Sequence, residues 1–255
     1  MRDNMSKNNI NDTPILTTHN IKKKFGNIQA LCGIDLEIFS GEILAIVGDN
    51  GSGKSTFIKI LSGDIRPDEG TITIEDEAYH YLTSKQSLSK GISTVYQDLA
   101  LDDYRDVAAN IFLGNEITIG KFFLNRKKMK AIAEDLIKDL NIGIPDITLP
   151  VGSFSGGQRQ AVAVARAVYH GKKLMIFDEP TAAMGVRESS AVLKLIEELS
   201  KRNMAIIIIC HNLHQVFEIA DKICIMRHGK IMKTINTSDT TLLEVQSIIE
   251  ETNYI

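Results

Sequence analysis

A glycine-rich segment between an apolar strand-like run and a helical run carries the clearest chemistry of the sequence. It reads Gly48-Asp-Asn-Gly-Ser-Gly-Lys-Ser55 and matches the phosphate-loop pattern G-x-x-x-x-G-K-[ST]. Glycines let backbone N–H groups turn towards phosphate oxygens, and the following helix adds the positive end of its dipole. Lys54 would reach the β- and γ-phosphates, and the hydroxyl of Ser55 would bind Mg²⁺. An ordinary glycine-rich turn is disfavoured, because a chance match in this length is on the order of one in a hundred. The predicted nucleotide-binding residues here are Gly48, Asp49, Asn50, Gly51, Ser52, Gly53, Lys54, Ser55 and Thr56.

Two adjacent carboxylates follow a second apolar run, Leu174-Met-Ile-Phe-Asp-Glu-Pro180. Ligands of open α/β sheets bind at the carboxyl ends of the strands, which is where Asp178 and Glu179 fall. Asp178 would hold Mg²⁺ through water, and Glu179 could polarise a water that attacks the γ-phosphate. Carboxylates after strands are common, so this segment carries weight only together with the phosphate loop.

A third segment, Phe154-Ser-Gly-Gly-Gln-Arg-Gln160, opens an apolar helical run. Its simplest interpretation is a helix start with Ser155 as N-cap. Capping explains the serine but not two glycines followed by Gln158. The exposed N–H groups of a helix start also form an anion site. The segment therefore predicts a second phosphate-binding helix start, although the first loop already serves one nucleotide.

The elements that would position these residues alternate between strand and helix. Strand patterns cover 15–47, 70–75 (an edge strand by its alternation), 92–96, 174–177 and 205–210, and two more strands flank 227–229. Helical patterns cover 55–61, 106–113, 126–140, 155–170, 187–201 and about 239–250. Strands alternating with helices imply a parallel sheet. Strand signals fade between about 100 and 170, which predicts an inserted helical subdomain.

Composition excludes several classes of protein. The 255 residues are 44% hydrophobic and 24% charged with a net charge of −3, so a real core is possible and no global charge favours nucleic acid or an anionic membrane. No apolar run approaches the ~18 residues of a membrane helix, and the polar start lacks a secretory segment. Cys32, Cys210 and Cys224 are interpreted as reduced core thiols. Basic triplets at 22–24 and 126–128 are interpreted as solvated surface. We expect a soluble intracellular protein.

Taken together, the motifs resemble those of the ATP-binding-cassette (ABC) ATPases over about residues 14–235. Four landmarks occur in the family's order: the phosphate loop, the Ser155-Gly-Gly-Gln158 signature, the Asp178-Glu179 strand end and a switch histidine, His211. Gln97 matches the family's coupling glutamine, and Phe25 matches the aromatic residue that stacks on adenine. The resemblance implies an α/β fold of the P-loop NTPase class, an ABC-type ATPase core with an antiparallel β subdomain and a helical signature subdomain.

The resemblance also implies roles for these residues. The expected catalytic group is Glu179, His211, Lys54 and Gln97, and the expected Mg²⁺ group is Ser55, Gln97 and Asp178. In the family two copies dimerise head to tail, so Ser155, Gly156, Gly157 and Gln158 would contact ATP held by the other copy. A tail at 1–13 and an ATPase domain at 14–250 are expected.

One position departs from the family pattern. After Glu179-Pro-Thr181 the family usually has Ser-Ala-Leu-Asp, whose aspartate bridges the subunits, whereas this chain has Ala182-Ala-Met-Gly185. The missing carboxylate concerns communication between the two ATP sites rather than nucleotide binding.

Finer resemblance points to the cassettes of bacterial monosaccharide importers, through Tyr96-Gln-Asp-Leu-Ala-Leu101, Ala109-Asn-Ile-Phe-Leu-Gly114 and the run ending at Val186. Many of these carry two cassettes in one chain, and this sequence resembles the single-cassette, fructose-type members. The expectation is a homodimer at the cytoplasmic face of the plasma membrane. It would power a separate permease fed by a substrate-binding protein, without a nucleic-acid partner.

Two alternatives remain open at this point. A soluble cassette of translation or DNA repair would keep the ATPase but usually has paired cassettes, coiled coils or basic extensions, which this sequence does not display. A P-loop kinase would use Lys54 and Asp178 but leave Ser155–Gln158 and His211 without a role.

Overall fold

The computed structural model describes residues 13–120, 122–182 and 184–250. The predicted tail, 1–13, lies outside the described residues except for Thr13. The strands are β1 (Leu16–Phe25), β2 (Ile28–Ile38), β3 (Ile43–Val47), β4 (Glu69–Ile74), β5 (Glu77–Tyr79), β6 (Ile92–Val95), β7 (Thr118–Ile119), β8 (Phe123–Leu124), β9 (Leu174–Asp178), β10 (Ala205–Ile209), β11 (Lys222–Arg227) and β12 (Lys230–Asn236). The helices are α1 (Lys54–Leu61), α2 (Ser84–Ser89), α3 (Val107–Ile111), α4 (Arg126–Asp139), α5 (Gly156–His170), α6 (Val186–Lys201), α7 (Leu213–Ile219) and α8 (Leu242–Glu250).

A six-stranded sheet in the order β12-β11-β3-β10-β9-β6 forms the centre of the molecule. Its pairs are parallel except for the final β11–β12 hairpin. The three central strands are apolar along nearly their whole length and buried, as expected for strands covered on both faces. The predicted parallel α/β sheet is confirmed, and it places the ends of β3, β9 and β10 side by side at one edge.

A second, antiparallel sheet has the order β2-β1-β4-β5. The predicted strand at 70–75 corresponds to β4, but its prediction as an edge strand is wrong. β5 pairs with β4 through Ile72–Tyr79 and Ile74–Glu77, so β5 is the edge. β5 has only three residues, and this is too short for a strand pattern to be recognised from sequence.

The region between about 100 and 170 contains α3, α4 and α5, which pack on one another around Phe112, Met129 and Val162. The guanidinium of Arg166 donates to the carbonyl oxygens of Leu99 (2.5 Å) and Ala100 (2.8 Å), which ties α5 to the segment after β6. A small hairpin, β7–β8, interrupts these helices. Sequence reasoning missed this hairpin, because two-residue strands have no periodicity. Among the described residues, every helix is too short or too polar to cross a bilayer.

The cysteines differ in burial. Cys210 and Cys224 are buried, and burial raises the pKa of the Cys224 thiol to about 12. Cys32 is only half-buried, with its thiol 3.4 Å from the carbonyl oxygen of His228. The prediction of three core thiols therefore holds for two of them.

Candidate functional site

The glycine-rich loop joins the end of β3 to the start of α1. Gly48 has a φ of +143°, and a Cβ there would lie 2.0 Å from the carbonyl oxygen of Met226. Gly53 is the N-cap of α1 in a left-handed conformation, and as a glycine it has no side chain that could cap the helix. The first N–H groups of α1 therefore have no capping side chain as acceptor and can donate to an anion.

Lys54 lies inside this loop and is only 6% exposed. Its Nζ donates to the carbonyl oxygens of Gly48 (2.7 Å) and Asp49 (2.8 Å). Burial lowers the pKa of the ammonium, while the charges of Glu179, Asp49 and Asp178 act in the opposite direction. Phosphate oxygens would further stabilise the charged form.

The two carboxylates stand at the neighbouring strand ends. β9 ends at Asp178, and the N–H of Glu179 donates to the carbonyl oxygen of Ile209 at the end of β10. Glu179 has a φ of +52°, a left-handed conformation that is uncommon for a residue with a Cβ. Its Oε1 lies 2.9 Å from Nε2 of His211. Burial, as the largest cause, raises the pKa of both carboxyl groups.

An open cleft of about 410 Å³ brings most of the predicted residues together. Its lining residues are Ile28, Gln29, Ala30, Asn50, Gly51, Gly53, Lys54, Ser55, Thr56, Gln97, Asp178, Glu179, Ile209 and His211. Gln97, just after β6, is exposed and faces this cleft from the far edge of the central sheet. Residues 28–30 of β2 were missed from sequence, because they carry no motif and reach the cleft only through the fold.

The donors in this cleft fit a magnesium ion bound together with phosphates. Ser55, Gln97 and Asp178 offer hydroxyl, amide and carboxylate oxygens, and protein-bound Mg²⁺ typically takes one or two carboxylates with waters and substrate phosphates. No cluster of three or more His, Cys, Asp or Glu side chains that could hold a metal occurs within the described residues.

Phe25 lies beside this cleft without lining it. It ends β1 and pairs with Ile28, which does line the cleft. The ring is 45% exposed, and Nζ of Lys23 lies 5.5 Å from its centroid. Its position at the rim is compatible with stacking on a base.

The signature segment lies in a separate cavity of about 300 Å³, lined by Ser155, Gly157 and Gln158 with residues of α6. Ser155 and Gln158 form a reciprocal capping box, and Nε2 of Gln158 donates to the carbonyl oxygen of Gly143 (3.1 Å). Ser155 is thus the N-cap of α5, as the simplest interpretation of the sequence predicts. Within the described residues, the signature and the phosphate loop line separate cavities.

The glycines of the signature differ in their surroundings. A Cβ on Gly157 would lie 3.2 Å from Cβ of Glu188, so packing accounts for this glycine. A Cβ on Gly156 would meet no described atom within 4 Å, and its φ is not positive. Nothing within the described chain requires glycine at 156.

Gly185, at the departure from the family pattern, is the N-cap of α6 and makes no side-chain cap hydrogen bond. A Cβ there would also meet nothing within 4 Å. Among the described residues, a Cβ at position 185 is therefore free of close contacts. Ala183 of the same run lies outside the described residues.

The fold and this cleft define an α/β P-loop nucleotide hydrolase. Residues 31–182 match the family described as ABC transporter, and the chain belongs to that family. It is 44% identical to the xylose/arabinose import ATP-binding protein XylG of Sulfolobus acidocaldarius, over 92% of this chain and 93% of that protein. It is also 44% identical to the fructose import ATP-binding protein FrcA of Rhizobium meliloti, over 90% and 91% of the two chains.

Other relatives are longer or more distant. The ribose import ATP-binding protein RbsA 2 of Escherichia coli O157:H7 is 37% identical over 89% of this chain, but the match covers 44% of that protein. Among solved structures, a nucleotide-free ATP-binding cassette from an ABC transporter has a TM-score of 0.79 at 25% identity, covering 94% and 96% of the two chains. The cbiO1 protein of Clostridium perfringens has a TM-score of 0.75 at 26% identity, covering 94% of each chain. The predicted family and fold class are confirmed.

Proposed function

We propose that this protein is the ATP-hydrolysing subunit of a monosaccharide importer, acting as a homodimer bound to a separate permease at the cytoplasmic face of the plasma membrane. The observation that carries the ATPase is the cleft in which Lys54, Asp178, Glu179 and His211 converge. The import assignment is supported by relatives that are named as sugar import proteins and match over nearly their full length. The identity of the sugar would be decided by the permease and the substrate-binding protein.

The phosphate loop and Lys54 would bind the triphosphate. The N–H groups at the start of α1 and the ammonium of Lys54 would supply positive charge to the β- and γ-phosphates, in exchange for the two carbonyl contacts of Nζ. Ser55, Asp178 and Gln97 would hold Mg²⁺, which neutralises charge on the phosphates. Phe25 would stack on the base at the rim of the cleft.

Glu179 would act as general base. A carboxylate of raised pKa accepts a proton more readily than an ordinary one, so burial suits Glu179 to polarising the attacking water. His211, 2.9 Å away, would hold the carboxylate and contact the γ-phosphate. The strained backbone of Glu179 and its hydrogen bond to Ile209 fix the carboxylate at the strand end.

The signature would complete the partner's site. Ser155, Gly157 and Gln158 line a cavity separate from the nucleotide cleft of their own chain, and Gly156 lies between them in sequence. The N–H groups at the start of a helix such as α5 can bind an anion. The unexplained glycine at 156 supports a close approach from outside the chain. Closure of two copies around two ATP molecules would then bring each signature onto the other's nucleotide.

The permease would contact the face that follows β6. Tyr104 is 93% exposed there, whereas Leu99 and Leu101 pack partly against the core. A groove beside this segment is lined by residues of the core, of α2 and of α5, including Tyr96, Leu113, Asn115 and His170. A helix of the permease that enters this groove would touch both the Gln97 segment and the helical region.

The test is to trap the Glu179→Gln variant with ATP and Mg²⁺ in native membranes, solubilise them in detergent and identify the proteins that co-purify. A multi-span permease is the expected result, and Glu198→Gln on the exposed side of α6 is the matched control that should not be trapped. Recovery of ribosomes, DNA or only soluble partners would replace the importer by a soluble cassette. Transfer of labelled phosphate to a sugar, rather than release of inorganic phosphate, would instead establish a kinase.

A further inference from the structure

The hairpin β7–β8 exposes an apolar surface that the nucleotide site does not use. Ile119 and Phe123 are direct partners across the hairpin, and they are 58% and 75% exposed. Phe122 in the connecting turn is 88% exposed, and Leu124 is 49% exposed. Ile119, Phe122 and Phe123 therefore expose large apolar side chains close together on one hairpin, while Leu124 points to its opposite face. Adjacent exposed apolar side chains of this size are typical of a binding surface.

Basic residues follow this apolar surface directly. Residues 117–133 contain five basic residues and no acidic one, although the chain as a whole carries a net charge of −3. Arg126, Lys127, Lys128 and Lys130 are exposed in the first turns of α4, where no acidic residue stands in the first turn. The positive end of the helix dipole adds to these charges rather than offsetting them.

Three basic residues of α4 also lack the ion pairs that two lysines of the triplet 22–24 make. Lys22 pairs with Glu69 (2.7 Å) and Lys23 pairs with Asp68 (2.8 Å). Among the described residues, Arg126, Lys127 and Lys128 have no acidic ion-pair partner, whereas Lys130 lies 3.8 Å from Glu134 and also interacts with the charge of Asp146. The unpaired cations of Arg126, Lys127 and Lys128 next to exposed aromatic and aliphatic side chains favour a partner that is both anionic and apolar.

We propose that this surface, the β7–β8 hairpin with the first turns of α4, binds the interface of an anionic lipid bilayer. Phe122, Phe123 and Ile119 would enter the boundary between headgroups and acyl chains, while the cations of α4 would contact the lipid phosphates. The cationic cluster explains why the partner is a charged lipid surface rather than an apolar protein groove. Residues 126–128 are exposed, as their sequence predicts, and the proposal gives this exposed surface a partner.

The position of the hairpin agrees with such a contact. Leu113 and Asn115, a few residues before β7, line the groove assigned above to the permease. This agreement rests on the proposed function, but lipid binding itself does not, because it needs no permease.

The experiment is sedimentation of the purified full-length protein with vesicles that contain no other protein. One set is phosphatidylcholine alone, and in the other roughly a third of the lipid is anionic phosphatidylglycerol. We expect binding to the anionic set that weakens strongly at about 0.5 M salt, where the Debye length falls to about 4 Å. Phe122→Ser with Phe123→Ser should weaken this binding by about tenfold or more, because two of the side chains that would enter the interface are lost. Lys127→Glu with Lys128→Glu should also weaken it by about tenfold or more, because two cations that would contact the lipid phosphates become anions.

Control variants distinguish binding by this surface from nonspecific hydrophobic adsorption and from an effect of net charge. Leu243→Ser changes an equally exposed leucine on α8, and Lys172→Glu with Lys194→Glu makes the same change in net charge elsewhere. Both controls, and the basal ATPase rate and melting temperature of every variant, should match the parent. Equal binding to both vesicle sets, hairpin variants that bind like the parent, or controls that lose as much would overturn the proposal. A Phe122→Ser, Phe123→Ser variant that keeps its vesicle affinity but loses the permease in detergent would show that the surface binds protein instead.

Discussion

Nε2 of His211 lies 2.9 Å from Oε1 of Glu179, and this contact joins the ends of two neighbouring parallel strands. Glu179 follows β9 and His211 follows β10, one residue beyond Cys210. The backbone hydrogen bond from Glu179 to Ile209 holds the two strand ends in register. The histidine is thus placed to orient the carboxylate from the side, while Lys54 faces the same cleft.

The raised pKa of Glu179 predicts the acid side of the pH–rate profile. Burial favours the neutral carboxyl group, so its pKa lies above the ordinary value of 4.5. A protonated carboxyl group cannot accept a proton from water. The rate of single-turnover ATP hydrolysis should therefore fall as the pH is lowered through a midpoint above 4.5, and the residual rate of Glu179→Gln should lack this fall.

The same shift predicts an effect on stability. A group whose pKa is raised by folding stabilises the folded protein below its unfolded pKa, and that contribution is lost as the pH rises through the folded pKa. Glu179→Gln should therefore be at least as stable as the parent at neutral pH in thermal melts without nucleotide. A clear loss of stability would mean that the His211 contact outweighs the cost of burying the charge.

Gly156→Ala separates folding from assembly at the signature. The added methyl group meets no described atom and replaces glycine at the first position of a helix, so the melting temperature should be unchanged or slightly higher. If the segment contacts the partner's nucleotide, ATP-dependent dimerisation and ATP turnover should both fall by about tenfold or more. Dimerisation is measured by light scattering on the Glu179→Gln background. Turnover is measured by phosphate release on the parent background. Normal dimers would contradict the role in trans.

Gly185→Asp tests the departure from the family pattern. A Cβ at this position meets no described atom within 4 Å, and φ at Gly185 is −69°. An aspartate at the N-cap of α6 should accept from the first N–H groups and stabilise the protein by a few tenths of a kcal/mol. If the carboxylate also bridges the two copies, the Hill coefficient for ATP should rise. Gly185→Ala distinguishes these effects, because it lacks both the cap and the bridge.

Phe25→Ala tests the base-binding role of the rim. The ring is nearly half exposed, so its removal should change the unfolding free energy little. Loss of one stacking contact should weaken ATP binding by about 1 kcal/mol, or roughly fivefold in Kd. Titration with ATP and with triphosphate lacking a base distinguishes stacking from a phosphate effect, since only the affinity for ATP should fall.

The sequence by itself determined the chemistry of this protein. The phosphate loop, the carboxylates after an apolar run and the signature are local patterns, because a loop that wraps phosphates or a helix start that binds anions needs particular residues at fixed spacing. The apolar runs of β3, β9 and β10 likewise predicted a buried parallel sheet.

Only the tertiary structure decided how distant segments meet. The contact of His211 with Glu179, the entry of residues 28–30 into the cleft and the edge position of β5 depend on strand order, which no local spacing encodes. The hairpin β7–β8 is too short for a periodic pattern, and its exposed side chains could not be told from core residues by type alone. Burial and pairing are properties of the folded chain, and they turn these ordinary residues into a cleft and a surface.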